Sequence, residues 1–157
     1  MRIAVIDTGA GNLASVLRAF RRAAGEAGLA AAIDVTTRPE DVTAADRVVL
    51  PGQGAFAATR HGLDALPGME EALREAVERR GRPFLGICVG MQLMAERGLE
   101  HGSHPGLGWI RGEIAPMDPV GPDASPLPLP QMGWNGLDLA APSHPLLAGV
   151  APGEHAY

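Results

Sequence analysis

The sequence predicts an α/β fold, a mostly parallel sheet with helices on both faces. Three observations point there: apolar runs of strand length that end in glycine, helical periods between them, and a Gly-Ile-Cys-Val-Gly elbow where the last run meets a helix. Residues 3–6 are an uninterrupted apolar run, the pattern of a strand buried on both faces, and Gly9 and Gly11 punctuate its end. Leu13, Val16, Leu17 and Phe20 then recur at i, i+3, i+4 and i+7, with Arg18, Arg21 and Arg22 on the opposite side; this amphipathic helix closes near Gly28. Residues 32–36 read as a second strand and residues 47–50 as a third, ending at Pro51-Gly52-Gln53-Gly54. Met69, Leu73, Ala76 and Val77 mark a helix that stops at Gly81, ahead of the strand that carries the elbow. Residues 91–97 read as the helix behind it. The order β-α-β-β-α-β-α needs crossovers, and these place helices over both faces of the sheet. Ligands of such sheets bind at the carboxyl ends of the strands.

Beyond Gly98 the pattern changes. Residues 106–110 and 131–137 are short, glycine-punctuated strand candidates. Between them Pro116, Pro119, Pro122, Pro126, Pro128 and Pro130 exclude a helix and most sheet pairing, which predicts a long exposed loop between edge strands, within one domain over residues 1–157. A chain of 157 residues with 46% hydrophobic content is long enough for one full core. A net charge of −5 without a basic run argues against nucleic acid. One cysteine cannot form an internal disulfide, the N-terminal apolar run stops at Asp7, and no run is long enough to span a membrane; a cytoplasmic location is expected.

The elbow carries the chemistry. In a strand-turn-helix of this kind the central residue stands at the tip of a strained turn, and a side chain at either flanking glycine would collide with the neighbouring strand or helix. The start of the next helix offers unpaired N–H groups and a partial positive charge, which lower a thiol pKa and can hold an oxyanion. Cys88 is therefore the candidate nucleophile, and the N–H of Val89, the residue after it, is a candidate oxyanion donor. Gln92 lies four residues on, on the same helical face as Cys88. A different class of reading is also open. Gly9-Ala10-Gly11-Asn12-Leu13-Ala14 fits the G-x-G-x-x-A dinucleotide fingerprint, with Asp34 twenty residues downstream, although Asp34 falls inside the second strand and not at its end.

Five segments, in order, carry a resemblance: residues 7–13 (Asp-Thr-Gly-Ala-Gly-Asn-Leu), 50–56 (Leu-Pro-Gly-Gln-Gly-Ala-Phe), 86–93 (Gly-Ile-Cys-Val-Gly-Met-Gln-Leu), 106–109 (Gly-Leu-Gly-Trp) and 132–135 (Met-Gly-Trp-Asn). The set resembles class I glutamine amidotransferases, and among them the glutaminase subunits of imidazole glycerol phosphate synthase. The resemblance implies a flavodoxin-like sheet with antiparallel edge strands. It also implies a Cys-His-Glu triad that hydrolyses glutamine, with ammonia passed to a (βα)₈ cyclase subunit in a heterodimer of histidine biosynthesis, and neither cofactor nor metal. Cys88 matches the nucleophile; the Pro51-Gly52-Gln53-Gly54 loop matches the second source of oxyanion N–H, taken here as Gln53. Gly54 and Gln92 match positions that hold glutamine. Asn12, Arg18 and Trp134 match positions near the cyclase interface. Gln53 and Gln131 replace residues more usual in the family.

None of the five histidines, His61, His101, His104, His144 and His155, matches the context of the triad base, and His101 with His104 lacks the further ligands of a metal site. The expectation is a domain incomplete at its C-terminus, without the triad His and Glu, so that the 157-residue chain by itself is weakly active or inactive. A non-catalytic docking partner of a synthase barrel is the third reading.

Overall fold

In the computed structural model, which describes residues 1–141 and 143–157, β1 (Arg2–Ile6), β2 (Ala32–Thr36), β3 (Arg47–Gly52) and β4 (Phe84–Cys88) pair in parallel in the order β2-β1-β3-β4. Alternation along the strands sorts their side chains to two faces. Ile3, Val5, Ile33 and Val49 meet Leu13, Val16, Leu17, Phe20 and Ala24 of α1 (Leu13–Glu26). Ala4, Ile6, Val48 and Leu50 form the other face. They pack with Val42 of α2 (Pro39–Ala44), Phe56 and Leu63 of α3 (Phe56–Asp64), Met69 and Leu73 of α4 (Met69–Leu73), and Ala76. Phe56, Leu63, Met69 and Leu73 are fully buried, and each contributes roughly 2 kcal/mol of transfer free energy.

The sequence pattern did not reveal α2 or α3. The first has six residues, fewer than two turns, and starts on Pro39. The second buries Thr59 and Arg60 beside Phe56 and Leu63, so polar residues occupy its inward face and blur the period. The helix expected over residues 69–81 begins as α4 and widens into a π-helical segment, Arg74–Arg79. The wider turn lets Arg80 N–H reach the Glu75 carbonyl while Ala76 stays buried.

Arg60 forms an ion pair with Asp64 at 2.6 Å and another with Glu70, which also accepts from Arg74 at 2.9 Å. The Arg60 hydrogen bond, then that of Arg74, holds the Glu70 carboxyl below its usual value of 4.5. A depressed folded-state value means that this contribution is full above pH 4.5 and is lost as pH falls through the lowered value. Arg60→Leu is expected to cost about 2 kcal/mol, the acids being partly exposed, and to flatten the acid limb of a stability profile. Urea unfolding between pH 3 and pH 7 measures both (roughly the range in which carboxylates titrate); an unchanged acid limb refutes the assignment.

After the elbow the structure departs from the sequence reading. The helix expected over residues 91–97 is one turn, α5 (Val89–Gln92), and the chain then enters β5 (Ala95–Gly98). Here β5 joins β6 (His104–Pro105) and β7 (Ile110–Ile114) in a separate sheet of order β6-β5-β7. Tertiary contact decides this. A Cβ on Gly98 would lie 2.4 Å from the Phe56 ring, so the strand docks backbone-first on α3, and Ala95 is buried. Most of the strand expected over residues 106–110 is irregular: Leu107, Trp109 and Ile110 donate their N–H groups to Leu93 and Met94 carbonyls, and only Ile110 enters a strand, β7.

These elements make one compact unit, Met1–Pro116; Met117–Tyr157 is a second. In the second, the strand expected over residues 131–137 is reduced to β8 (Asn135–Gly136), antiparallel to β9 (His155–Ala156). The proline-rich stretch is exposed, as predicted, with one bridge between Val120 and Pro126. No helix among the described residues is long and apolar enough to cross a membrane.

Candidate active site

Cys88 ends β4, and α5 begins at the next residue. Its backbone sits at φ 54° and ψ −118°, a region that a residue with a Cβ enters at a cost of about 1–3 kcal/mol. The thiol side chain is exposed. The flanking glycines account for the tightness of the turn. A Cβ on Gly86 would lie 2.5 Å from the Met91 Cα, and one on Gly90 would lie 1.8 Å from the Leu50 carbonyl oxygen. Helix and strands therefore touch through bare backbone, and only glycine fits at either position.

The parallel register places the second half of the site. Gly52, the last residue of β3, pairs with Cys88. A Cβ on Gly52 would lie 2.5 Å from the Gly90 N, so this contact too is backbone on backbone. Gln53 and Gly54 thus leave the sheet from the residue paired with Cys88, both exposed, with Gly54 at φ 83°. Val89 is the first residue of α5, and Cys88 provides no side-chain cap, so the Val89 N–H has no intrahelical acceptor. Gln92 closes α5 and is half-buried. Of the residues singled out in the sequence, Gln53 and Gly54 follow the end of β3, and Cys88, Val89 and Gln92 lie at the end of β4 and in α5, so both segments start from the paired strand ends Gly52 and Cys88. The sequence reading missed Glu100. The Phe56 N–H at the start of α3 donates to Glu100 Oε2 at 3.0 Å, which pins the far end of the Gln53–Ala55 loop. A single glutamate twelve residues after the cysteine carries no periodic signal that could have revealed it.

The remaining candidates have local partners. Asn12 caps α1 by accepting the Ser15 N–H at 3.2 Å, and Arg18 donates to Ser15 Oγ at 3.4 Å. Trp134 is 71% exposed and meets Tyr157 edge-on at 5.7 Å. His61 is exposed on α3 with its ring 6.1 Å from that of His104; His101 and His155 are exposed; His144 caps a 3₁₀ turn, Pro145–Leu147. Among the described residues, no three His, Cys, Asp or Glu side chains converge closely enough to hold a metal ion.

The dinucleotide reading does not survive the geometry. The Gly9 N–H donates to Asp7 Oδ1 at 2.8 Å, so a carboxylate occupies the loop where a pyrophosphate would sit. Asp34 lies at the centre of β2 opposite Ala4, not at the strand end where a ribose would be met.

Comparison with known proteins decides the family. The class-I glutamine amidotransferase domain profile matches residues 4–104, from β1 to β6. The imidazole glycerol phosphate synthase subunit HisH of Rhizobium meliloti (strain 1021) is 59% identical over the whole of this chain and 72% of its own length. The chain belongs to the HisH family of class-I glutamine amidotransferases. The HisH proteins of Rhodospirillum rubrum, at 57% identity over 72% of that protein, and of Granulibacter bethesdensis, at 57% over 70%, also align with the whole chain. The family is enzymatic, and its matched domain contains the elbow, the Gly52–Gly54 loop and Glu100.

Proposed function

We infer that this chain is the glutamine-hydrolysing subunit of an imidazole glycerol phosphate synthase in histidine biosynthesis. It forms a cytoplasmic heterodimer with a (βα)₈ cyclase subunit that receives the ammonia. The observation that carries the reading is Cys88 held at positive φ on a glycine-lined elbow, in register with Gly52.

In this mechanism the Cys88 thiolate attacks the side-chain amide carbon of glutamine, and negative charge develops on the amide oxygen. The N–H groups of Val89 and Gln53 stabilise it, while Gly54 and Gln92 hold the substrate. Collapse of the tetrahedral adduct breaks the C–N bond and releases ammonia, with a proton delivered by the imidazole of the family's His–Glu pair. The glutamyl thioester that remains is cleaved by water to glutamate and free thiol. Asn12, Arg18 and Trp134 face the cyclase subunit.

A diazoketone analogue of glutamine tests this. Labelling is expected at Cys88 alone, absent in Cys88→Ala, and suppressed by glutamine. Label on another residue, or labelling that glutamine does not slow, refutes it. Binding of the cyclase barrel without any labelling would instead favour a non-catalytic docking subunit.

A further inference from the structure

Thr59 sits on α3 with no exposed surface, and its Oγ1 is buried without a hydrogen-bond partner. Its Cγ2 lies 3.0 Å from the position that a Cβ on Gly52 would take. That same position is 2.5 Å from the Gly90 N and 3.0 Å from the Val89 carbonyl carbon. Thr59 is therefore wedged under the point where the oxyanion loop leaves β3, against the elbow itself. A valine has the same shape and no unmet hydrogen bond, so the hydroxyl adds nothing to the packing seen here.

We propose that Thr59 is a positioning residue for the oxyanion loop, its hydroxyl donating to the Gly52 carbonyl when the Gly52–Gln53 peptide turns its N–H toward the substrate. This rests on the glutaminase reading above. In a trans peptide the N–H and C=O point in opposite directions, so aiming the Gln53 N–H outward swings the Gly52 carbonyl inward. A carbonyl buried in that way requires a donor. The Thr59 hydroxyl is such a donor: it is buried without a partner, on the side chain whose methyl abuts Gly52. Glycines at positions 52 and 54 place no Cβ in the way of the rotation.

The test uses the full-length protein with the family's His–Glu pair, assembled with its cyclase partner, and compares Thr59→Val, Thr59→Ala and Thr59→Ser for glutamine hydrolysis and urea midpoint. Thr59→Val and Thr59→Ala are expected to lower kcat equally, by about tenfold, with KM within about twofold, because an oxyanion donor is felt only in the transition state. Thr59→Ser should keep the parental kcat. The urea midpoint should stay level or rise in the valine variant and fall in the alanine variant. A parental kcat in Thr59→Val overturns the proposal, as does a kcat that follows stability across the series. If the valine variant fails to fold, equal kcat values for alanine and serine overturn it. A parental enzyme whose hydrolysis survives Cys88→Ala sinks the glutaminase reading instead, and Thr59 falls with it.

Discussion

Cys88→Gly is expected to abolish glutamine hydrolysis and to make the protein more stable. The thiol is exposed, so removing it forfeits little packing. The backbone at φ 54° and ψ −118° is costly for cysteine and easy for glycine. Relief of that strain, set against the greater freedom of glycine in the unfolded chain, leaves a net gain of about 1 kcal/mol. Hydrolysis should fall by roughly 10⁴-fold or more, since the covalent route is gone. Cys88→Ser should lose activity without gaining stability, because it keeps the Cβ. Urea unfolding and an ammonia-release assay on the full-length protein, with the family's His–Glu pair and its partner present, check both halves. A lower midpoint for Cys88→Gly refutes the strain argument, and activity within tenfold of the parent refutes the nucleophile (roughly one rate decade of the expected loss).

Gly90→Ala should be among the most damaging single-methyl additions in the chain. Its Cβ would lie 1.8 Å from the Leu50 carbonyl oxygen, a backbone atom of a central strand that cannot rotate aside as a side chain can. To accommodate it, α5 and β3 must part by about 1 Å, at an expected cost of about 3 kcal/mol. The same displacement moves the Val89 N–H and the Cys88 thiol relative to the Gln53 loop, and misplacement on that scale lowers kcat by roughly 10²-fold. Gly25→Ala is the control. Nothing lies within 4 Å of its Cβ in α1, and removing a helical glycine should stabilise by about 0.5–1 kcal/mol. A Gly90→Ala protein with the parental urea midpoint would mean that the elbow is not closed on β3.

The parts of the fold legible in the sequence were those whose signal is local. Residues 3–6, 32–36 and 47–50 are strand-length apolar runs, and Leu13 through Phe20 repeat at helical spacing; all became elements of the central sheet and its cover. Residues 91–97 read as a helix from their local pattern. They became one helical turn and a strand because Gly98 docks on the Phe56 ring, a contact between residues far apart in the chain. Similarly, α3 was hidden because Thr59 and Arg60 point inward, and the partners that make this tolerable, Glu70 and the bare Gly52, are visible only in three dimensions.

For the site, the sequence by itself pointed to Cys88 as the candidate nucleophile, since a Gly-x-Cys-x-Gly turn between a strand and a helix is specified by the steric demands of its own residues. It also supplied the family, through five ordered segments. Tertiary structure alone decided how the second half of the site reaches the thiol. The pairing of Gly52 with Cys88 depends on strand register, the Glu100 hydrogen bond joins residues 44 positions apart, and the burial of Thr59 under Gly52 depends on how α3 packs. Local sterics are written residue by residue, whereas register and packing are settled by the sum of contacts that segments make with one another, and no single segment encodes that sum.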